Sequence, residues 1–95
     1  MWLNAQIGDY DMDEVILDLG SEVNVLMKQT SELMGKLELS YSPIQLKLEN
    51  QQKVNPMGRL SNMSVDIDGV WSLADFEVIE IIDDSNLFPA LLGID

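Results

Sequence analysis

The chain contains neither cysteine nor histidine. Without cysteine there is no disulfide framework, no thiolate nucleophile and no thiolate metal site. Without histidine, Ser-His and Cys-His nucleophilic mechanisms are excluded, and so is a His-ligated zinc centre. Cations are scarce as well: Lys28, Lys36, Lys47, Lys53 and Arg59 stand against 17 acidic residues, a formal net charge of −12. So few dispersed cations cannot track a run of phosphates, which excludes a nucleic-acid partner, and an anionic membrane surface repels the chain. No apolar run approaches the roughly 20 residues needed to cross a bilayer. Residues 1–11 lack the basic start and continuous apolar stretch of a signal peptide, so the expected location is intracellular, in the cytoplasm. The enzymatic chemistry left open is that of carboxylates.

At 95 residues the chain is expected to be one domain spanning residues 1–95. Its 46 % hydrophobic and 23 % charged residues suit a packed globular domain. The surplus of carboxylates predicts weaker self-repulsion at mildly acidic pH.

Periodicity points to a mostly β chain. Residues 3–7 read as a strand stopped by Gly8-Asp9, and 13–17 as its partner, across an acidic loop of Asp9, Asp11, Asp13 and Glu14. Asp9, Asp11 and Asp13 have the spacing of a calcium loop. Such a loop then needs Gly and a bidentate Glu where this chain has Glu14 and Gly20, so no metal site is expected. Val23 and Val25 suggest an extended piece, and residues 28–34 a short helix closed by Gly35, with Leu26, Met27, Thr30, Leu33 and Met34 on one face. Ile44, Leu46 and Leu48 alternate with polar residues, and Asn50-Gln51-Gln52 turns the chain back toward Pro56 and Gly58. Asp68-Gly69 between Ser64-Val65-Asp66-Ile67 and Val70-Trp71-Ser72-Leu73 is a strong hairpin signal, because that pair suits the positive φ angles of a type I′ turn. Trp71 reads as a partly exposed sheet aromatic. The strand leaving this turn extends through Ile79 toward Ile82, Asp83 to Asn86 form a loop, and residues 87–92 a last strand. Strands at this spacing with one helix point to a small closed barrel.

Two segments carry the chemistry. The apolar run Val15-Ile16-Leu17 ends in Asp18-Leu19-Gly20-Ser21, which delivers one carboxylate to a tight turn. Ala90-Leu91-Leu92-Gly93-Ile94-Asp95 is a second apolar strand, able to pass behind that turn and hold it. Between them come Val23-Asn24-Val25-Leu26, Leu33-Met34-Gly35, Ser42-Pro43-Ile44-Gln45-Leu46, Met57-Gly58-Arg59-Leu60 and Ala74-Asp75-Phe76-Glu77-Val78-Ile79. In this order, over residues 7–95, the segments resemble the retropepsin-like aspartic peptidases, most closely the protease region of plant long-terminal-repeat retrotransposon polyproteins.

The resemblance implies a small closed barrel of retropepsin (acid protease) type, with one short helix after the catalytic turn. It implies a homodimer in which Asp18 of each chain meets its symmetry mate and the pair shares one proton, one carboxylate activating water and the other polarising the scissile carbonyl. The turn is Leu19, Gly20 and Ser21. Glu49, Asn50, Gln51, Gln52 and Lys53 fall in the flap, a hairpin that closes over an extended peptide or polyprotein substrate. Leu91, Leu92 and Gly93 form the strand supporting the turn. No cofactor or metal is called for. The family continues into a helix beyond the position of Asp95, which suggests a domain shortened at its C-terminus. Leu19 stands where retroviral and pepsin-type enzymes carry Thr or Ser, and Glu22 adds a carboxylate near the turn. These two residues motivate an alternative: a catalytically silent fold kept as a dimerisation or peptide-binding module.

Overall fold

The computed structural model describes residues 2–18, 23–35, 38–47, 53–80 and 90–93. Six strands close into a barrel: β1 (Trp2–Ile7), β2 (Tyr10–Asp18), β3 (Asn24–Met27), β6 (Gly58–Ile67), β7 (Val70–Ile79) and β8 (Ala90–Gly93), in the order β1-β2-β8-β3-β7-β6, with β6 returning to β1. A helix, α1 (Lys28–Leu33), follows β3, and β4 (Leu46–Lys47) with β5 (Lys53–Val54) forms a separate hairpin. The mostly β class, the closed barrel and the single short helix expected from the sequence are all present among the described residues.

The period-two pattern explains how the barrel fills. On β1, Ala5 and Ile7 are buried while Asn4 and Gln6 face solvent, as alternation across a strand requires. Ile7, Val15, Leu26, Phe76 and Val78 are fully enclosed in the main core. β7 breaks the alternation: residues 76–79 are all buried, whereas 70–73 are all exposed. The buried half pairs in parallel with β3, Asn24 against Phe76 through Met27 against Ile79, and is covered on both faces, Phe76 and Val78 by the main core and Ile79 by a second cluster. A smaller cluster of Val25, Met27 and Ile79 lies on the other face, and Leu46, Val54 and Leu91 pack against it.

The acidic segment after Gly8 is strand rather than loop. Gly8 adopts φ +63°, so Gly8-Asp9 alone makes the turn and Ile7 pairs directly with Tyr10. Asp11 and Asp13 point to solvent from β2, with Met12 between them in the core, and Glu14 at φ +62° lies where the register shifts. The bulge adds a residue to β2 and brings Val15 back to the core face. Leu33 also departs from expectation. It is 69 % exposed, because α1 is only six residues long and buries Thr30 in its place. So short a helix is unstable alone and depends on its neighbours. Gly35 at φ +111° ends it, and Lys28 Nζ donates to Glu80 Oε2 at 3.1 Å. The hydrogen bond and charge of Glu80, with the charge of Glu32, hold the Lys28 ammonium above its ordinary range. This pair is solvated and adds little to stability. At Asp68-Gly69 both φ angles are positive, +54° and +84°, as a type I′ turn demands. The long strand after it stops at Ile79, and the last strand is described from Ala90; Ile81, Ile82, the Asp83–Asn86 loop and residues 87–89 lie outside the described residues.

Gly58 lies against the segment that leads into β4. Ser40 and Arg59 exchange backbone hydrogen bonds of 2.9 and 2.8 Å, and a Cβ on Gly58 would stand 2.6 Å from Leu39 Cβ and 3.0 Å from Ser40 O. Neither neighbour is a flexible side-chain end. Gly58→Ala is therefore expected to destabilise the fold by about 1–3 kcal/mol, read as a lower denaturation midpoint at unchanged m-value.

Candidate functional site

Asp18 is the last residue of β2, and the chain returns as β3 from Asn24. Between these two arms runs β8. It pairs in parallel with β2, Ile16 against Leu91, Leu17 against Leu92 and Asp18 against Gly93, and antiparallel with β3, Val25 against Leu91 and Leu26 against Ala90. Both arms of the segment that carries Asp18 thus lean on one central strand, whose Leu92 enters the main core while Leu91 packs on the outer cluster. Asp18 is half-buried. A carboxylate here sits on a strand end fixed from its neighbour, the rigid placement that acid–base chemistry needs.

Asn24 makes the tie that sequence reading missed. Its Oδ1 accepts the Gly93 N–H at 2.9 Å, and its Nδ2 donates to the Asp75 carbonyl at 3.1 Å. One amide side chain joins β3, β8 and β7 where the Asp18 segment returns to the barrel. An Asn or Gln amide offers a donor and an acceptor on one planar group. A polar residue at the head of an apolar strand was the available signal.

The β4–β5 hairpin pairs Leu46 with Val54 and Lys47 with Lys53. Gln45 Nε2 donates to Asn55 Oδ1 at 3.3 Å across its base. Leu46 and Val54 pack against the cluster of Val25, Met27 and Ile79, on which Leu91 of β8 also packs, so the hairpin stem and the strand that frames Asp18 share β3 and β7 as support. Lys53 is exposed on β5. Leu19, Gly20, Ser21, Glu49, Asn50, Gln51 and Gln52 lie outside the described residues.

Both arms of that hairpin attach to adjacent residues of β7. On the outgoing side the Met57 N–H donates to the Val78 carbonyl at 2.7 Å. On the incoming side the Ser42 hydroxyl donates to Glu77 Oε1. Glu77 is 4 % exposed, and its other oxygen takes Arg59 Nε at 2.6 Å. The sequence marked Arg59 as the only arginine without revealing its partner. The two residues meet because β6 and β7 are antiparallel with Arg59 opposite Glu77. Among the described residues no group of three or more carboxylates is arranged to hold a metal ion.

No family model matches this chain, and no curated protein does. Among solved structures, it is similar to the crystal structure of the retroviral protease-like domain of Ddi1 from Leishmania major, with a TM-score of 0.71 and 19 % identity over 100 % of this chain and 72 % of that one. At that identity the likeness shows the fold: a retropepsin-like barrel.

Proposed function

We propose that this chain is one half of an aspartic endopeptidase site. The observation that carries the reading is the placement of Asp18 at the end of β2, held by β8 between the two arms of its own segment. One carboxylate cannot act as both general base and general acid in a single step. Two chains related by a two-fold axis supply the pair, and an isologous interface brings the same residue of each into contact. Two carboxylates that close do not both ionise, so one proton is shared between them. The unprotonated member takes a proton from water, and the protonated member donates a hydrogen bond to the scissile carbonyl.

The β4–β5 hairpin acts as the flap over an extended peptide, whose backbone it meets by strand-like hydrogen bonding. Its stem and Leu91 of β8 pack on the same cluster of Val25, Met27 and Ile79, so the flap and the strand behind Asp18 share one support. The substrate is an extended segment of polypeptide. The matching segments quoted above favour processing of a retroelement polyprotein, of the plant long-terminal-repeat type, as the biological setting.

The test is cleavage of a peptide mixture between pH ~4 and ~7, the span in which a shared-proton pair works, with sedimentation of the same samples. Turnover that Asp18→Asn abolishes is the expected result. A demonstrated dimer that binds peptide but turns nothing over at any of these pH values overturns the reading in favour of a silent binding module.

A further inference from the structure

Among the described residues, no strand pairs with the outer edge of the first half of β7. β6 occupies one side of it through Ile67 against Val70, Asp66 against Trp71, Val65 against Ser72 and Ser64 against Leu73. On the other side β3 pairs only from Phe76 onward, and the Asn24 amide covers the Asp75 carbonyl just before it. In a two-residue hairpin the pair flanking the turn exchanges both hydrogen bonds, and pairs alternate from there. Val70 and Ser72 thus direct their amides to β6, while Trp71 and Leu73 present N–H and C=O to the open side.

The side chains along this edge are apolar and uncovered: Val70 is 75 % exposed, Trp71 65 % and Leu73 59 %. Natural edge strands are commonly blunted by lysine, proline or a covering element, and residues 60–80 contain no lysine, arginine or proline. The charges present are all negative. Asp66 and Asp68 lie at the turn and Asp75 at the far end of the edge. Asp66 and Asp68 also line an open groove of ≈ 440 Å³ with Asp11 and Asp13.

We propose that the β7 edge over residues 70–74 docks an extended peptide bearing lysine or arginine between apolar residues, which joins the hairpin as an added strand. The backbone amides of Trp71 and Leu73 supply the ladder, their side chains supply apolar contact, and the surrounding carboxylates select a cationic partner. A second copy of this chain is the wrong occupant. It would bring a like set of carboxylates against this one, and the one cation of each hairpin, Arg59, is already bound to Glu77. Trp71 lies about 20 Å along β7 from Glu77, where the β4–β5 hairpin attaches.

The probe is a short peptide alternating lysine and valine, titrated into the Trp2→Phe protein so that fluorescence reports Trp71 alone. The expected result is a blue shift that saturates and weakens with added salt. N-methylation of alternate peptide amides removes hydrogen bonding at constant charge, and it is expected to weaken binding about tenfold or more. Leu73→Pro deletes an N–H that points off the sheet and leaves the β6 ladder whole, so the same loss is expected with an unchanged circular dichroism spectrum. The N-methylated peptide tests the point without altering the protein. No saturable shift at millimolar peptide overturns the proposal. So does equal binding of the N-methylated peptide, which means charge alone, and so does self-association of the free protein that Trp71→Lys abolishes.

Discussion

Mixing the wild-type chain with an excess of Asp18→Asn is expected to poison peptide cleavage. If each chain carries one aspartate and two are needed, a mixed dimer holds a single ionisable carboxylate at the axis. That species has a base or an acid, never both. With a ninefold excess of the variant and free exchange of subunits, most wild-type chains pair with an inactive partner. Activity per wild-type chain then falls about tenfold by mass action. The isosteric Asn keeps the volume of Asp18 and its place against Gly93 on β8, so the variant retains the fold needed to dimerise. An independent site on each chain predicts the opposite: activity fixed by the wild-type concentration and indifferent to added variant. Unchanged turnover in the mixture, with exchange shown by sedimentation of labelled chains, sinks the half-site mechanism even if Asp18→Asn alone is inactive.

The barrel was legible because its strands are written in the two signals that local sequence carries well. Alternation marks β1 and the inward residues of β6, and Asp68-Gly69 fixes the β6–β7 register through its two positive φ angles. What the sequence hid depends on partners remote along the chain. The acidic run after Asp9 looked like a loop because its charge suggested solvent, yet Met12 and Val15 are enough to hold β2 as a strand once Glu14 bulges out. Leu33 looked like a helix core residue, but a helix this short has only one buried face position to fill, and Thr30 takes it. For the site, Asp18 and Gly93 are visible as motifs, whereas Asn24 and Glu77 are not. Their hydrogen bonds cross 69 and 35 residues. No periodicity announces a glutamate that belongs in a core, because its burial is decided by Arg59 and Ser42, which fold against it from two other segments.

That buried glutamate sets the largest expected change in stability. Arg59→Met is expected to destabilise the domain by about 3–5 kcal/mol, the cost of leaving a buried charge without its partner. Glu77 is enclosed between β3 and β6, and among the described residues the Ser42 hydroxyl alone answers its carboxylate once the guanidinium is gone. The reverse change costs less. In Glu77→Gln the Arg59 side chain, 32 % exposed, can turn its charge to water, and the amide still accepts one hydrogen bond. A loss of about 1–2 kcal/mol follows. The asymmetry is the diagnostic, because a solvated surface pair would give two small and similar values. Removing both charges, as Arg59→Met with Glu77→Leu, is expected to recover much of the loss, since packing can replace a buried pair. Denaturation of Arg59→Met, Glu77→Leu and the double variant closes the cycle. Arg59→Met costing less than about 1 kcal/mol would place the pair in the solvated class. The same cycle reaches the β4–β5 hairpin. Ser42 ties its incoming arm to Glu77, and Met57 ties its outgoing arm to Val78 one residue further along β7. Glu77→Leu alone removes the first tie and leaves the second, so hydrogen exchange is expected to quicken at Ser40 and Lys47 while the amides of β6 near Asp68-Gly69 hold. Equal protection throughout would mean that the carboxylate stabilises the barrel but does not position the hairpin.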